Sequence, residues 1–237
     1  MRTTDPSLLR RCLGFPLRVP FTIVSLIGLG VRAIRTNTAT DDASNRVLQH
    51  VGFAPQDLVL FSWRRLISSA MFTHGRLEFW VAITMIVLAV GAAELMVGTV
   101  RAAATFWGVH LVTLLAESLL IALPLALAGV SAGKELSDAR DVGPSAGYVA
   151  ALGLVCALLP GRWPRISAVA VLSILLVLTF TPAGGDDQAV RLSAGIAHLI
   201  AFPLGYAAAT LWWKKQVGAR PLLRIDSDET RRRSTAS

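Results

Sequence analysis

Hydrophobic residues along this chain fall into six blocks separated by polar connections. The first is short, about 13 apolar residues at 19–31 held between Arg18 and Arg32. Longer blocks follow at roughly 77–98, 102–128, 144–160, 166–182 and 192–213. Crossing a hydrocarbon core of about 30 Å takes about 20 apolar residues in a helix. The pattern therefore predicts an all-α polytopic membrane protein with six transmembrane helices. A signal-peptide h-region has the look of the first block, but no small-x-small site follows it cleanly, so it is read as a span.

The connections carry their own pattern. Residues 35–57 are rich in Thr, Asn, Asp and Ser and read as an extramembrane loop. In 58–73, Val59, Trp63, Leu66, Ile67 and Ala70 share one helical face, with Arg64, Arg65 and Ser68 opposite. That arrangement predicts a helix lying in the membrane interface within the first loop. The chain thus divides into an N-terminal tail at 1–15, a membrane domain at 16–213 and a basic tail at 214–237. The last segment, with Arg231, Arg232 and Arg233, has the composition of a disordered or lipid-surface tail.

Composition agrees with the pattern. Of 237 residues 54% are hydrophobic and 16% charged, with a mean hydropathy of +0.58, outside the usage of soluble domains. The formal charge of +8 is topological rather than a nucleic-acid footprint. Fourteen of the 23 Lys and Arg fall on the side that holds both termini when six spans are threaded. The bias places the termini in the cytoplasm and the protein in the plasma (inner) membrane. Cys12 and Cys156 form no disulfide framework, no metal-ligand spacing accompanies His50 or His74, and no cofactor motif is present.

Two polar residues stand out inside apolar helices. Ser145 opens the fourth block, in Gly143-Pro144-Ser145-Ala146-Gly147-Tyr148, and His198 sits in the sixth. Ser145 lies 17 residues before Arg162 and His198 lies 16 before Lys214, which at 1.5 Å per residue lifts both about 24–26 Å above the inner interface. At one depth, a hydroxyl and an imidazole make a nucleophile and base pair, within hydrogen-bond reach or about 4–5 Å at rest. A packing role is the alternative for each. Gly143, Gly147 and Ala151 form a small-residue stripe, and Ala201 and Gly205 lie near His198 at helical spacing. His110 and Glu117 are seven apart on one face of the third block, and a bonded structural pair accounts for them more simply than a proton path.

From Arg65 to Tyr206 the chain resembles the rhomboid intramembrane serine proteases. The resemblance rests on Trp63-Arg64, Phe72-Thr73-His74, Gly91-Ala92-Ala93-Glu94, Gly143-Pro144-Ser145 and Ala197-His198 followed by Ala201 and Gly205, in that order and on matching spans. It implies a six-helix rhomboid-like bundle in which Ser145 is the nucleophile and His198 its general base, a dyad without a third carboxylate. Gly143, Tyr148 and His74 would support the oxyanion or the pocket, while Gly147, Ala201 and Gly205 would serve helix packing. The partners implied are a transmembrane protein substrate or client and membrane lipid, and no nucleic acid.

The chain departs from the family pattern at defined places. Ala146 follows the serine where the family has Gly, and Tyr148 stands three residues on rather than four. Where family members carry His and then Asn in the second span, this chain has Phe79 and Ile83, or Glu78 and Ala82 in the neighbouring register. Neither pair donates a hydrogen bond to an oxyanion. Three functions follow for comparison: a rhomboid-type protease, a non-catalytic rhomboid-like protein that binds transmembrane helices, and an unrelated six-span carrier. The carrier would bring internal repeats and midplane charge; no repeat is visible, and Glu117 is the one acidic residue deep in a block.

Overall fold

The computed structural model describes residues 18–181 and 188–219. The N-terminal tail and the basic tail beyond residue 219 lie outside the described residues. The described chain is helical, with no strand among the described residues and one antiparallel bridge between Phe53 and Asp141. We number the helices α1 (Pro20–Thr36), α2 (Asn45–Val51), α3 (Gln56–Val59), α4 (Arg64–Ser68), α5 (Arg76–Val97), α6 (Thr99–Leu127), α7 (Ser131–Asp138), α8 (Ser145–Ala157), α9 (Trp163–Phe180) and α10 (Gln188–Ala219).

Helices occupy all six apolar blocks, and four of them, α5, α6, α9 and α10, are long and apolar enough to cross a membrane. The other two fall short of that length, α8 by more than its apolar block suggested. α1 has 17 residues and carries Arg32 and Arg35 near its end. α8 has 13 residues because the chain turns at Leu158 and Gly161, the latter at φ 62°. Its length of about 20 Å reduces the height expected for Ser145. α10, in contrast, continues to Ala219, into the segment assigned to the tail.

Packing follows from side-chain size. α8 is buried around most of its circumference, and its small residues Ala146, Gly147, Ala150, Ala151 and Gly153 let α10 and α6 approach closely. A Cβ on Gly153 would lie 2.9 Å from Tyr206 N, and one on Gly147 would lie 2.6 Å from the Phe106 ring. α9 is the opposite case. None of its residues is fully buried, and Val169, Ile174, Leu176, Val177, Leu178 and Phe180 face outward. Such an apolar exterior fits lipid, which removes the penalty that water would impose.

Glu94 closes the end of the bundle opposite the α1 C-terminus. Its buried carboxylate accepts from Phe21 N and Thr22 N, both at 2.9 Å, and from Thr22 Oγ1 at 2.8 Å. These are donors that the first turn of α1 cannot satisfy internally, and the carboxylate also meets the positive end of the helix dipole.

The first loop differs from the single interfacial helix expected over 58–73. Phe61 adopts a left-handed conformation (φ 55°), which ends α3 and separates it from α4. Leu58 and Leu66 are drawn into a cluster with Phe53 and Leu114, while Val59, Trp63 and Ile67 are exposed. The cause is Asp57, which is 1% exposed. Its carboxylate accepts from Arg65 Nη1 at 2.8 Å, Arg140 Nη1 at 2.9 Å and Ala54 N at 3.0 Å. A buried carboxylate needs such partners, and they bind the first loop to the segment between α7 and α8.

Candidate active site

The sequence places a turn before α8, and the structure shows how it is made. Gly143 takes φ 144°, a conformation that a side chain would strain, and donates its N–H to Ser69 O at 2.9 Å. Pro144 then sets the start of the helix, and Ser145 is its first residue. Helical hydrogen bonding resumes at Tyr148 N, which donates to Pro144 O at 3.0 Å. The N–H groups of the preceding turn therefore point out of the helix start without intrahelical acceptors.

A cavity of about 470 Å³ opens at this point. Ser145 and Tyr148 of α8, Glu78 and Ala82 of α5, and Arg191 and His198 of α10 line it. Leu175, Leu178 and Thr179 of α9 close one wall. The structure thus brings Ser145, His198, Gly143, Tyr148 and His74 to one cavity. Gly147, Ala201 and Gly205 lie outside it, in the helix contacts: Ala201 is fully buried against Ala146 and Val149, and Gly205 abuts the Ala150 backbone.

No hydrogen bond joins Ser145 Oγ to the His198 ring among the described residues, and His198 Nε2 is buried without a partner. Tyr148 shares the cavity with His198, and no ring pairing forms between them among the described residues. His74 Nε2 lies 3.2 Å from Asp141 Oδ1, and the same oxygen accepts from Val142 N at 2.8 Å. Asp141 thereby fixes both His74 and the backbone leading to Ser145.

The register of α5 resolves which of two residue pairs meets this space. Glu78 and Ala82 line the cavity, Ala82 from the edge of the buried core, whereas Phe79, in that core and against Trp80, and Ile83, packed on it, do not line it. The cavity does have another hydroxyl. Thr73 lines it, and its Oγ1 is buried and has no partner. Orphaned buried polar atoms are rare in folded proteins, and two of them, Thr73 Oγ1 and His198 Nε2, belong to residues that line this cavity. Sequence reasoning passed over Thr73 as the middle residue of Phe72-Thr73-His74. The position beside a histidine at a helix start was the available signal.

His110 and Glu117 turn away from each other's bonding. His110 Nε2 lies 3.2 Å from Leu66 O, and Glu117 Oε1 accepts from Ser193 Oγ. Each ties α6 to a different element, so the expected bonded pair does not form. Trp63 and Arg64 are exposed, and it is the next residue, Arg65, that anchors the loop. Comparison with known proteins returned no match to a family model, a curated protein or a solved structure.

Proposed function

We propose that this chain is a rhomboid-type intramembrane serine protease with Ser145 as nucleophile and His198 as general base. The observation that carries the reading is the shared cavity: a serine at a helix start and a histidine whose Nε2 is buried without a partner line the same space. In the reaction, Ser145 Oγ bonds to a peptide carbonyl carbon while His198 takes the hydroxyl proton. The carbonyl electron pair moves onto oxygen, where the free N–H groups of the first turn of α8 and the Thr73 hydroxyl donate hydrogen bonds. The C–N bond then breaks, His198 returns the proton to the leaving nitrogen, and water hydrolyses the acyl-enzyme by the same exchange.

The apolar walls from α5 and α9 suit a transmembrane segment, cut near its outer boundary. In this reading α1 and α8 are the short spans of a six-helix bundle, and both termini face the cytoplasm of the plasma membrane. A second reading, a non-catalytic protein that holds transmembrane helices in the same groove, is favoured by the missing Ser145 to His198 hydrogen bond and by Glu78 and Ala82 at the cavity wall.

Covalent labelling with an electrophilic phosphonate in native membranes separates the two. The protease reading expects labelling that Ser145→Ala abolishes and His198→Ala nearly abolishes, because an unactivated hydroxyl is a poor nucleophile. Labelling that survives Ser145→Ala refutes the assignment, and a wild-type protein that never labels supports the helix-binding reading.

A further inference from the structure

The connection between α7 and α8, which delivers Ser145 to its cavity, is bonded at each residue from 140 to 143. Arg140 donates to Gln49 Oε1 at 2.9 Å, Gly52 O at 3.0 Å and Asp57 Oδ2 at 2.9 Å. Asp141 N donates to Phe53 O at 2.9 Å, and Phe53 N donates back to Asp141 O at 3.0 Å. The Asp141 carboxylate takes the next N–H, that of Val142, at 2.8 Å, and Gly143 N donates to Ser69 O at 2.9 Å. Pro144 has no N–H. The backbone donors left for an incoming carbonyl therefore begin at Ser145.

One of these bonds differs from the rest. Asp141 Oδ1 holds Val142 N and, at 3.2 Å, His74 Nε2, and both His74 and Asp141 line the cavity that Ser145 lines. His74 precedes α5 and is 27% exposed, so its ring can exchange a proton with water. A neutral ring makes an ordinary hydrogen bond with the carboxylate, and a protonated ring makes a charge-assisted one. The hold on Val142 thus follows the charge on His74.

We propose that Asp141 is a positioning residue for Ser145, and that a protonated His74 ring holds it in the position that serves the reaction. The proposal rests on reading Ser145 as the nucleophile. With His74 charged, the Asp141 carboxylate is neutralised and fixed, and the start of α8 is fixed with it. With His74 neutral, the carboxylate holds the backbone less firmly, and its bare charge opposes the negative charge that develops on a carbonyl oxygen. The effect of the pair is present at low pH and is lost as pH rises through the range in which an imidazole gives up its proton. The other charged or titratable side chains of the cavity are Glu78 of α5, Tyr148 of α8, and Arg191 and His198 of α10. Asp42 of the first loop abuts Gly75, next to His74, and the Asp141 charge reaches His110 and Glu117 of α6. Arg140, beside Asp141 in the chain, pairs with Asp57 instead.

The test follows phosphonate labelling of the full chain in native membranes against pH, and amide exchange over residues 142–148 of the full chain in detergent. A serine–histidine dyad alone gains rate as pH rises, because His198 must be neutral to accept a proton. A fall in rate at higher pH, by about tenfold, is the expected mark of the His74 and Asp141 pair. D141N, which still offers Val142 an acceptor, and H74Q, which has no titrating ring, should each abolish that fall, and the double variant should do no more than either one. E78Q removes another carboxylate from the same cavity and should keep the fall. A fall that persists in D141N and H74Q, or that E78Q also abolishes, overturns the proposal.

The exchange measurement stands apart from labelling. Corrected for the intrinsic effect of pH, exchange over 142–148 should be faster at about pH 8 than at about pH 6 in wild type, and equal at both in D141N and H74Q. A wild-type protein that never labels sets aside the Ser145 reading, and exchange then decides the positioning role by itself. Protection over 142–148 that ignores pH, or a pH step that survives both variants, overturns it. The two single variants are independent, so either suffices if the other fails to fold.

Discussion

Ser193 Oγ donates a 2.5 Å hydrogen bond to Glu117 Oε1, joining α10 to the middle of α6 through two buried side chains. The bond lies on the helix that carries His198, five residues before it. Ser193→Ala leaves the buried carboxyl group without this partner and should cost about 1–3 kcal/mol. Thermal unfolding in detergent measures it. Glu117→Gln keeps an acceptor in place and should cost less. Equal melting temperatures for wild type and Ser193→Ala would show that the bond adds nothing to stability.

Two glycines should respond oppositely to the same substitution. A Cβ at Gly205 would sit 2.6 Å from the Ala150 backbone carbonyl carbon, so Gly205→Ala forces α10 away from α8 and should destabilise by about 1–3 kcal/mol. Gly205→Leu should be worse. Gly108, in α6, has nothing within 4 Å of its Cβ position. Gly108→Ala should stabilise by about 0.5–1 kcal/mol, because alanine restricts the unfolded chain and favours helix. Melting curves that shift alike for both variants would reject the close-packing argument.

Asp57→Ala removes the acceptor shared by Arg65 and Arg140. Breaking a buried pair costs about 3–5 kcal/mol, and Arg65, 27% exposed, brings the expected loss toward the lower figure. The loss should be local. Faster amide exchange over residues 49–66, with the spans still protected, is the expected result, and uniform acceleration through α5 and α6 would point to global unfolding instead.

These relationships show where sequence is informative and where it is not. The helices were legible because apolar blocks bounded by charge record membrane depth directly. The first loop was not, since its course depends on Asp57 meeting Arg140, a residue 83 positions away. Periodicity over 58–73 sees only neighbours and reads one helix where tertiary ion pairs and a left-handed Phe61 make two. The candidate site divides in the same way. Ser145 and His198 stood out as polar residues in apolar surroundings, whereas Thr73 is ordinary in sequence and unusual only in having a buried hydroxyl without a partner.

The register of α5 gives a paired test of the proposed chemistry. Glu78 and Ala82 line the cavity, so Glu78→His with Ala82→Asn introduces donors there and should speed phosphonate labelling. Phe79→His with Ile83→Asn puts polar groups into the apolar core instead. That pair should destabilise by several times about 1 kcal/mol without faster labelling. Faster labelling by the second pair alone would reverse the assigned register.

Thr73 offers the sharpest separation of a structural role from a chemical one. Thr73 lines the cavity and its hydroxyl is buried and unpartnered, so in the resting protein it pays desolvation without a compensating bond. Thr73→Val keeps the shape and removes the hydroxyl, and should raise stability by up to about 1 kcal/mol. If Thr73 donates to the oxyanion, the same variant should lower the labelling rate about 10²- to 10³-fold, the usual effect of losing one such donor. Thr73→Ser, which keeps the hydroxyl, should retain most of the rate. A purely structural threonine cannot gain stability and lose reactivity together in this way. A Thr73→Val protein that labels as fast as wild type would remove Thr73 from the reaction and leave the N–H groups of the first turn of α8 as the remaining donors.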